Sequence, residues 1–190
     1  MQFNDHKALA MYLINHGNGK ILLKHKHAFV LGSVMPDADL FMYVKGFLTG
    51  RPLQMHYTVN LYSVIQRKIE KLAGKCKFTW LDYYRLGVLT HFLADTFTYP
   101  HNEVFQGNII EHAVYEGKVL HPAFQCAVQQ KIDEINVGRR QNLWEMWCDA
   151  HKDYIETPPS SWVDIRYIVS VCRLACEQLI PAEGRAAFAF

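Results

Sequence analysis

The sequence predicts an all-α fold in a single domain spanning residues 1–190, and three observations predict it. Apolar residues recur at helical spacing in one segment after another, and no segment alternates with period two over a strand's length. The segments are bounded by capping residues, glycine or proline. Half of the 190 residues are hydrophobic and one fifth are charged, enough for a buried core and too apolar for a disordered chain. No internal repeat is present, and a bundle of about six or seven helices is expected.

Asn4 or Asp5 can cap a first helix whose apolar residues are Ala8, Leu9, Met11, Tyr12, Leu13 and Ile14. Gly17 and Gly19 suit its exit. His6 falls in the first turn, where a lone histidine is ordinarily solvated; it is also a candidate ligand. Residues 20–31 predict a second helix, stopped by Gly32 and Pro36, with His25 exposed and His27 a hydrogen-bonded core histidine. Asp37 follows the proline in an apolar setting, and Asp39 competes with it for a turn-capping or a ligand role. An irregular loop through Gly50 and Pro52 leads to His56.

Residues 55–73 form an amphipathic helix with Val59, Tyr62, Ile65, Ile69 and Leu72 at helical spacing and Gly74 closing it. Thr79 and Asp82 read as a capping box for the next helix, which is apolar on nearly all sides and therefore central. Pro100 ends that helix. Residues 109–120 predict a further helix, interrupted at Pro122, with His121 in a loop. Residues 123–155 read as helical with a break near Gly138; Trp144 and Trp147 look like packing residues and His151 like a solvated one. After a loop at 157–161, Ser161 and Asp164 resemble a capping-box start for the last helix, 163–180. The tail beyond Pro181 is expected to be loosely held.

The stretch 86–116 is the one the chain is organised around. His91 and Asp95 are four residues apart, His101 follows a proline, and His112 and Glu116 are again four apart. Four residues turn an α-helix by about 400° and rise ~6 Å, so each pair shares a face. Two helices can therefore each offer two donors to one cavity. Imidazole nitrogen and carboxylate oxygen are ligands of catalytic zinc, and helical bundles build such sites from facing helices. One His-x-x-x-Asp step is explained as well by a polar surface or a core histidine. Two such steps, with a histidine between them and apolar residues around them, favour a metal. A His and an Asp on a buried helix need partners, because unpaired polar burial costs several kcal/mol.

Other classes are excluded or disfavoured. A net charge of +2 supplies no strong field for nucleic acid or an acidic membrane. Arg139 and Arg140 form the only adjacent arginine pair, read as a surface feature. The five cysteines show no C-x-x-C step, as expected for reduced thiols; Cys172 and Cys176 share a helix face and should pack. The N-terminal residues lack the pattern of an export signal, and no run approaches about 18 apolar residues. A cytoplasmic location without a transmembrane segment is expected. Nothing in the composition specifies an oligomeric state.

Four segments, GSVMPD (32–37), MHYTVN (55–60), LGVLTHFLADTFTYPH (86–101) and EHAVYE (111–116), resemble the zinc-dependent phospholipase C family. More distantly they resemble the zinc nucleases that share its helical fold. The likeness runs in order through roughly residues 1–116, and the block from His91 to Glu116 is its specific part. The resemblance implies one metal held by Asp37, His56, His91 and Asp95, a second held by His101, His112 and Glu116, and a water or hydroxide between them. A third metal in the family shares the carboxylate matched by Asp95. It also takes a histidine near the N-terminus, matched by His6, and the chain's α-amino group, here that of Met1. Zinc is therefore implied, as two ions or three; mixed histidine and carboxylate donors also accept iron or manganese.

The activity implied is phosphoester hydrolysis on a phospholipid headgroup or a small phosphoester, with Asp37 both a ligand and the proton acceptor from the water. A nuclease-like activity on single strands and a non-catalytic metal-binding domain are the alternatives. A nuclease would want aromatics beside a basic groove, for which the near-neutral charge gives little help. Phe41, Tyr57, Phe97, Tyr99 and Phe105 either wall the site or pack in the core.

Overall fold

The computed structural model describes residues 1–16, 25–38, 58–132, 135–138 and 142–181. Among them the order is α1 (Phe3–His16), α2 (Lys26–Ala38), α3 (Thr58–Leu72), α4 (Trp80–Thr96), a 3₁₀ turn (Tyr99–His101), α5 (Ile109–Val114), a π turn (Tyr115–Leu120), α6 (His121–Ala127), α7 (Leu143–Glu156) and α8 (Ser161–Leu179). No strand occurs among the described residues, so the all-α class stands.

Helix α4 is the axis of the bundle. It packs against α1, α2, α3 and α8, and Leu86, Leu89, Leu93 and Ala94 are fully buried. Its start is the expected capping box: Thr79 Oγ1 accepts from Asp82 N, while Thr79 N donates to Asp82 Oδ2 at 3.0 Å. Burial works against the Asp82 charge, but the Lys75 ammonium at 2.8 Å and the Thr79 donors hold its carboxyl well below the usual range. Phe29, Phe97, Phe124 and Trp147 complete one contiguous core with the aliphatic side chains of α1, α3, α7 and α8.

The crossing of α2 and α4 departs from expectation. Gly32 and Pro36 do not stop the second helix; both lie inside α2. A β-carbon at Gly32 would stand 2.0 Å from the Tyr84 carbonyl oxygen, and one at Gly87 2.1 Å from the Phe29 carbonyl oxygen. Two glycines therefore let the backbones of α2 and α4 touch. Pro36 falls in the last turn, where its missing N–H costs one late helical bond rather than the whole ladder. The start of the helix shifts as well. His25 stacks on Tyr83 at 4.9 Å and is half-buried, whereas His27 is exposed, the reverse of the expectation.

Other boundaries are corrected too. Pro122 does not interrupt the helix beginning at Ile109. The chain runs helically through to Ala127, because the π turn before the proline opens the winding and His121 N donates to the Glu116 carbonyl, five residues back. His121 is thus helical rather than a loop residue. Asp5 lies inside α1, which begins at Phe3, and is fully buried rather than an open cap. The expected break near Gly138 within 123–155 is present: α6 ends at Ala127, Gly138 adopts φ +74°, and Asn142 caps α7. Ser160, not Ser161, caps α8 by accepting from Val163 N at 3.2 Å. Trp147 is buried as a packing residue, and Cys172 and Cys176 are buried free thiols.

A Gly87→Ala variant is expected to lose stability by about 1–3 kcal/mol or more, since the obstructing atom is backbone and cannot swing away. Thermal melting checks this; an unchanged midpoint would contradict the close crossing.

Candidate metal centre

The Gly32–Gly87 contact sets the first half of the site. It brings the Ser33 carbonyl and the Asp37 carboxylate of α2 against the His91–Asp95 face of α4. His91 Nδ1 donates to Ser33 O at 2.9 Å, which leaves Nε2 as the ring's open donor. That nitrogen stands 3.3 Å from Asp95 Oδ2 and 3.6 Å from Asp37 Oδ1. On the other side of the His91 ring, His6 of α1 stacks at 3.8 Å. His6 Nε2 is 3.2 Å from Asp95 Oδ1 and 3.9 Å from Asp37 Oδ2. The first turn of α1 is therefore no surface position: His6 is 1 % exposed.

Asp95 divides its oxygens, Oδ2 toward His91 and Oδ1 toward His6. Oδ1 also accepts from the Met1 α-amino group at 3.0 Å, and His101 Nδ1 lies 3.9 Å away. The same amino group donates to Glu116 Oε1 at 2.8 Å and so links this cluster to a second one.

The second cluster is built from two turns. The 3₁₀ turn carries His101, whose Nε2 lies 2.8 Å from Glu116 Oε1. His112 Nε2 lies 3.2 Å from the same oxygen, and the two imidazoles are 4.9 Å apart. Helix α5 starts in a second capping box: Asn108 Oδ1 accepts from Ile110 N and Glu111 N, and Asn108 N donates to Glu111 Oε2 at 2.7 Å. Glu116 then falls in the first turn of the π segment, a feature often found where a helix must present a functional side chain.

Burial and the charges of the neighbouring groups compete at every residue of the site. Burial opposes the Asp95 charge, but the Met1 ammonium, His101, His91 and His6 hold its carboxyl well below the usual range. Burial likewise opposes Glu116, yet hydrogen bonds from His101 and His112 hold it well below. Burial pushes Asp37 up to about 6, with His91 opposing and Asp95 adding. Burial lowers the Met1 amine, but Asp95 and Glu116 outweigh it and raise it to about 11. Burial, then the adjoining His91 charge, lowers His6 to about 3, so its imidazole is neutral and a competent ligand.

The donors fit a metal. His6, His91 and Asp95 each offer an atom, as do His101, His112 and Glu116, with the atoms of each group all within 4.8 Å of one another. Ligands ~2.0–2.1 Å from tetrahedral zinc stand about 3.3 Å apart, close to the 3.2 and 3.3 Å separations around Asp95 and the 3.2 Å from His112 to Glu116. Both His6 nitrogens and Asp37 Oδ2 are buried without a well-formed hydrogen bond, although His6 Nε2 faces Asp95. Buried polar atoms left so are ordinarily explained by an ion or a water.

A family model described as zinc dependent phospholipase C matches residues 5–172. The chain belongs to the zinc-dependent phospholipase C family. The match extends well past residue 116 and takes in α7 and part of α8. No curated protein and no solved structure shows a match. Family membership makes this a zinc-dependent, phospholipase C-like hydrolase of a family that acts on phospholipids. Among the described residues no helix is long and apolar enough to cross a membrane.

Seven of the eight residues singled out from the sequence can be placed. Asp37, His91, Asp95 and His6 gather on one side, and His101, His112 and Glu116 on the other. His56 lies outside the described residues, as do Asp39, Phe41 and Tyr57. Phe97 is core, fully buried and stacked on Tyr167, whereas Phe105 is half-buried with its ring 6.3 Å from His112. Tyr99 is half-buried, edge-on to Phe105 and Tyr115.

Several polar residues hold the site without any mark in the sequence spacing. His151 is 6 % exposed, not solvated: its ring bridges Asn102 Oδ1 at 2.9 Å and the Tyr62 hydroxyl at 3.3 Å. Asn102, next to His101, in turn donates to the Thr96 and Thr98 carbonyls. Asp5 Oδ1 lies 2.6 Å from His121 Nδ1 and accepts from Gln125 Nε2 at 2.9 Å, tying α1 to α6 beside His6. The buried Asp164 accepts from Tyr99 N, Tyr115 and Tyr154. The ties from α1 to α6, from Asn102 to α7 and from α8 to the two turns join residues far apart in sequence, so spacing carries no signal for them.

Zinc at 100 times its Kd is expected to stabilise the protein by about 2.7 kcal/mol, reversed by chelator. Asp95→Asn should abolish most of that gain, because Asp95 faces both clusters. Calorimetric melting with and without chelator decides, and a wild-type midpoint indifferent to zinc would contradict the site.

Proposed function

We propose that the chain is a metal-dependent phosphodiesterase of phospholipase C type, acting on a phospholipid headgroup or a related small phosphoester. The observation that carries the reading is the division of one buried carboxylate, Asp95, between two imidazoles, with a second His/Glu cluster joined to it through the Met1 amine. Phosphodiesters resist hydrolysis because their charge repels nucleophiles. Bound zinc would neutralise that charge, lower the pKa of a shared water toward ~7 and clamp the attacking and leaving oxygens.

The chain's own residues would do the rest. His91, Asp95 and Asp37, with His56, would hold one ion; His101, His112 and Glu116 would hold another. His6, the Met1 amine and Asp95 would hold a third, supported by the 3.2 and 3.0 Å approaches of the first two to Asp95 Oδ1. Ser33 fixes the His91 ring with Nε2 toward Asp37 and Asp95, where it would take the ion. Asp37 would accept the proton of the attacking water. Its Oδ2 has no hydrogen-bond partner among the described residues, which leaves an oxygen to take that proton. A cytoplasmic setting belongs to the same reading and rests on the five free cysteines.

Bis-p-nitrophenyl phosphate should be hydrolysed with added zinc, and the rate abolished by chelator and by His91→Ala. Phosphocholine ester hydrolysed in preference to single-stranded DNA would support the phospholipase reading; the reverse would favour a nuclease. Binding of metal with no turnover of any ester would leave a non-catalytic metal domain. Asp37→Asn is expected to lower turnover about 100-fold or more while metal content falls less. Equal loss of both would make Asp37 a plain ligand.

A further inference from the structure

Asp164 stands on α8, far along the chain from every candidate ligand, and is 0 % exposed. Its Oδ2 accepts from the backbone Tyr99 N at 3.1 Å and from the Tyr115 hydroxyl at 2.9 Å. Its Oδ1 accepts from the Tyr154 hydroxyl at 2.8 Å. Tyr99 opens the 3₁₀ turn that carries His101, and Tyr115 opens the π turn in which Glu116 comes next.

Thr98, in the cap position of the 3₁₀ turn, makes no side-chain cap bond, and such a turn has poorer hydrogen-bond geometry than an α-helix. The π turn is the widened stretch of the helical run from Ile109 to Ala127. One oxygen of Asp164 reaches both. It caps the first turn from another helix and tethers the second through a phenol. His101 and Glu116, one residue or two beyond these anchors, meet at 2.8 Å.

We propose that Asp164 is a positioning residue for the second metal cluster, fixing the spacing of His101 and Glu116 by holding their two turns on a single carboxylate oxygen. This rests on the metal-binding reading above and adds to it a residue that touches no ion. An amide at this position could keep its one oxygen where Oδ2 stands and still accept from Tyr99 N and Tyr115, so the informative change is Asp164→Ala, which removes every acceptor. The Tyr115 contact can be cut alone, since phenylalanine keeps the ring and removes only the hydroxyl.

The test compares full-length wild type, Tyr115→Phe and Asp164→Ala. Zinc affinity is measured by competition with a chromophoric chelator. The His101 and His112 ring protons in NMR report the second cluster, and those of His6 and His91 the first. Melting of the zinc-free proteins is recorded alongside. In both variants the His101/His112 signals should respond to zinc with affinity weakened by about tenfold or more, the scale seen when residues supporting a ligand are removed. The His6/His91 signals should titrate as in wild type. Zinc-free Tyr115→Phe should melt close to wild type, so that the selective loss cannot be general destabilisation; if Asp164→Ala does not fold, Tyr115→Phe alone carries the test. Unchanged affinity in the variants, or equal weakening of both clusters together with a lowered melting point, would overturn the role of Asp164 while leaving the metal centre standing. A wild type whose histidine signals ignore zinc would overturn both.

Discussion

One buried carboxylate governs this structure. Asp95 is nearly inaccessible, and around it stand two imidazoles, an ammonium group and a third imidazole slightly farther off. A charge in that position costs several kcal/mol unless it is compensated. The chain compensates it from three separate segments: the N-terminus, α4 itself and the turn after α4. None of these could supply the partners alone. The arrangement is costly as a plain core and economical as a ligand set, and that difference is the reason to read it as a metal centre.

The scaffold's unusual features all serve that carboxylate and its neighbours. The glycine contact between α2 and α4 lets Ser33 and Asp37 reach the His91 face, which ordinary helix spacing of about 8–10 Å would not allow. The π turn places Glu116 within reach of His101 and His112, then leads through Pro122 into α6, where His121 and Gln125 grip Asp5 next to His6. The buried Asn102–His151–Tyr62 chain supports the residues beside His101. Polar groups inside this bundle are thus concentrated around the donors, and these ties join elements remote in sequence.

What the sequence made legible was local. The four-residue steps from His91 to Asp95 and from His112 to Glu116, the Thr79–Asp82 box and the uniformly apolar α4 are read from spacing, because helical geometry converts spacing into shared faces. Gly32 and Pro36 misled because a glycine inside a helix looks like a stop until the neighbouring backbone it admits is known. Pro122 misled because a widened turn absorbs it. His6 and His151 sit where first-turn position and a lysine neighbour suggest solvent, and only the packing of other helices over them shows otherwise. Asp164 looked like part of a cap one residue out of register; its real donors are a backbone amide and two phenols from other elements. Tertiary partners of single polar side chains leave no periodic trace.

The central claim is that these two groups of imidazoles and carboxylates hold metal ions. The most direct measurement is an anomalous difference map collected at the zinc edge from crystals grown with zinc. The account predicts separate peaks, one bounded by His91, Asp95 and Asp37 and another by His101, His112 and Glu116. A map without peaks there, with the same rings bonded only to the neighbouring carboxylates, would contradict it.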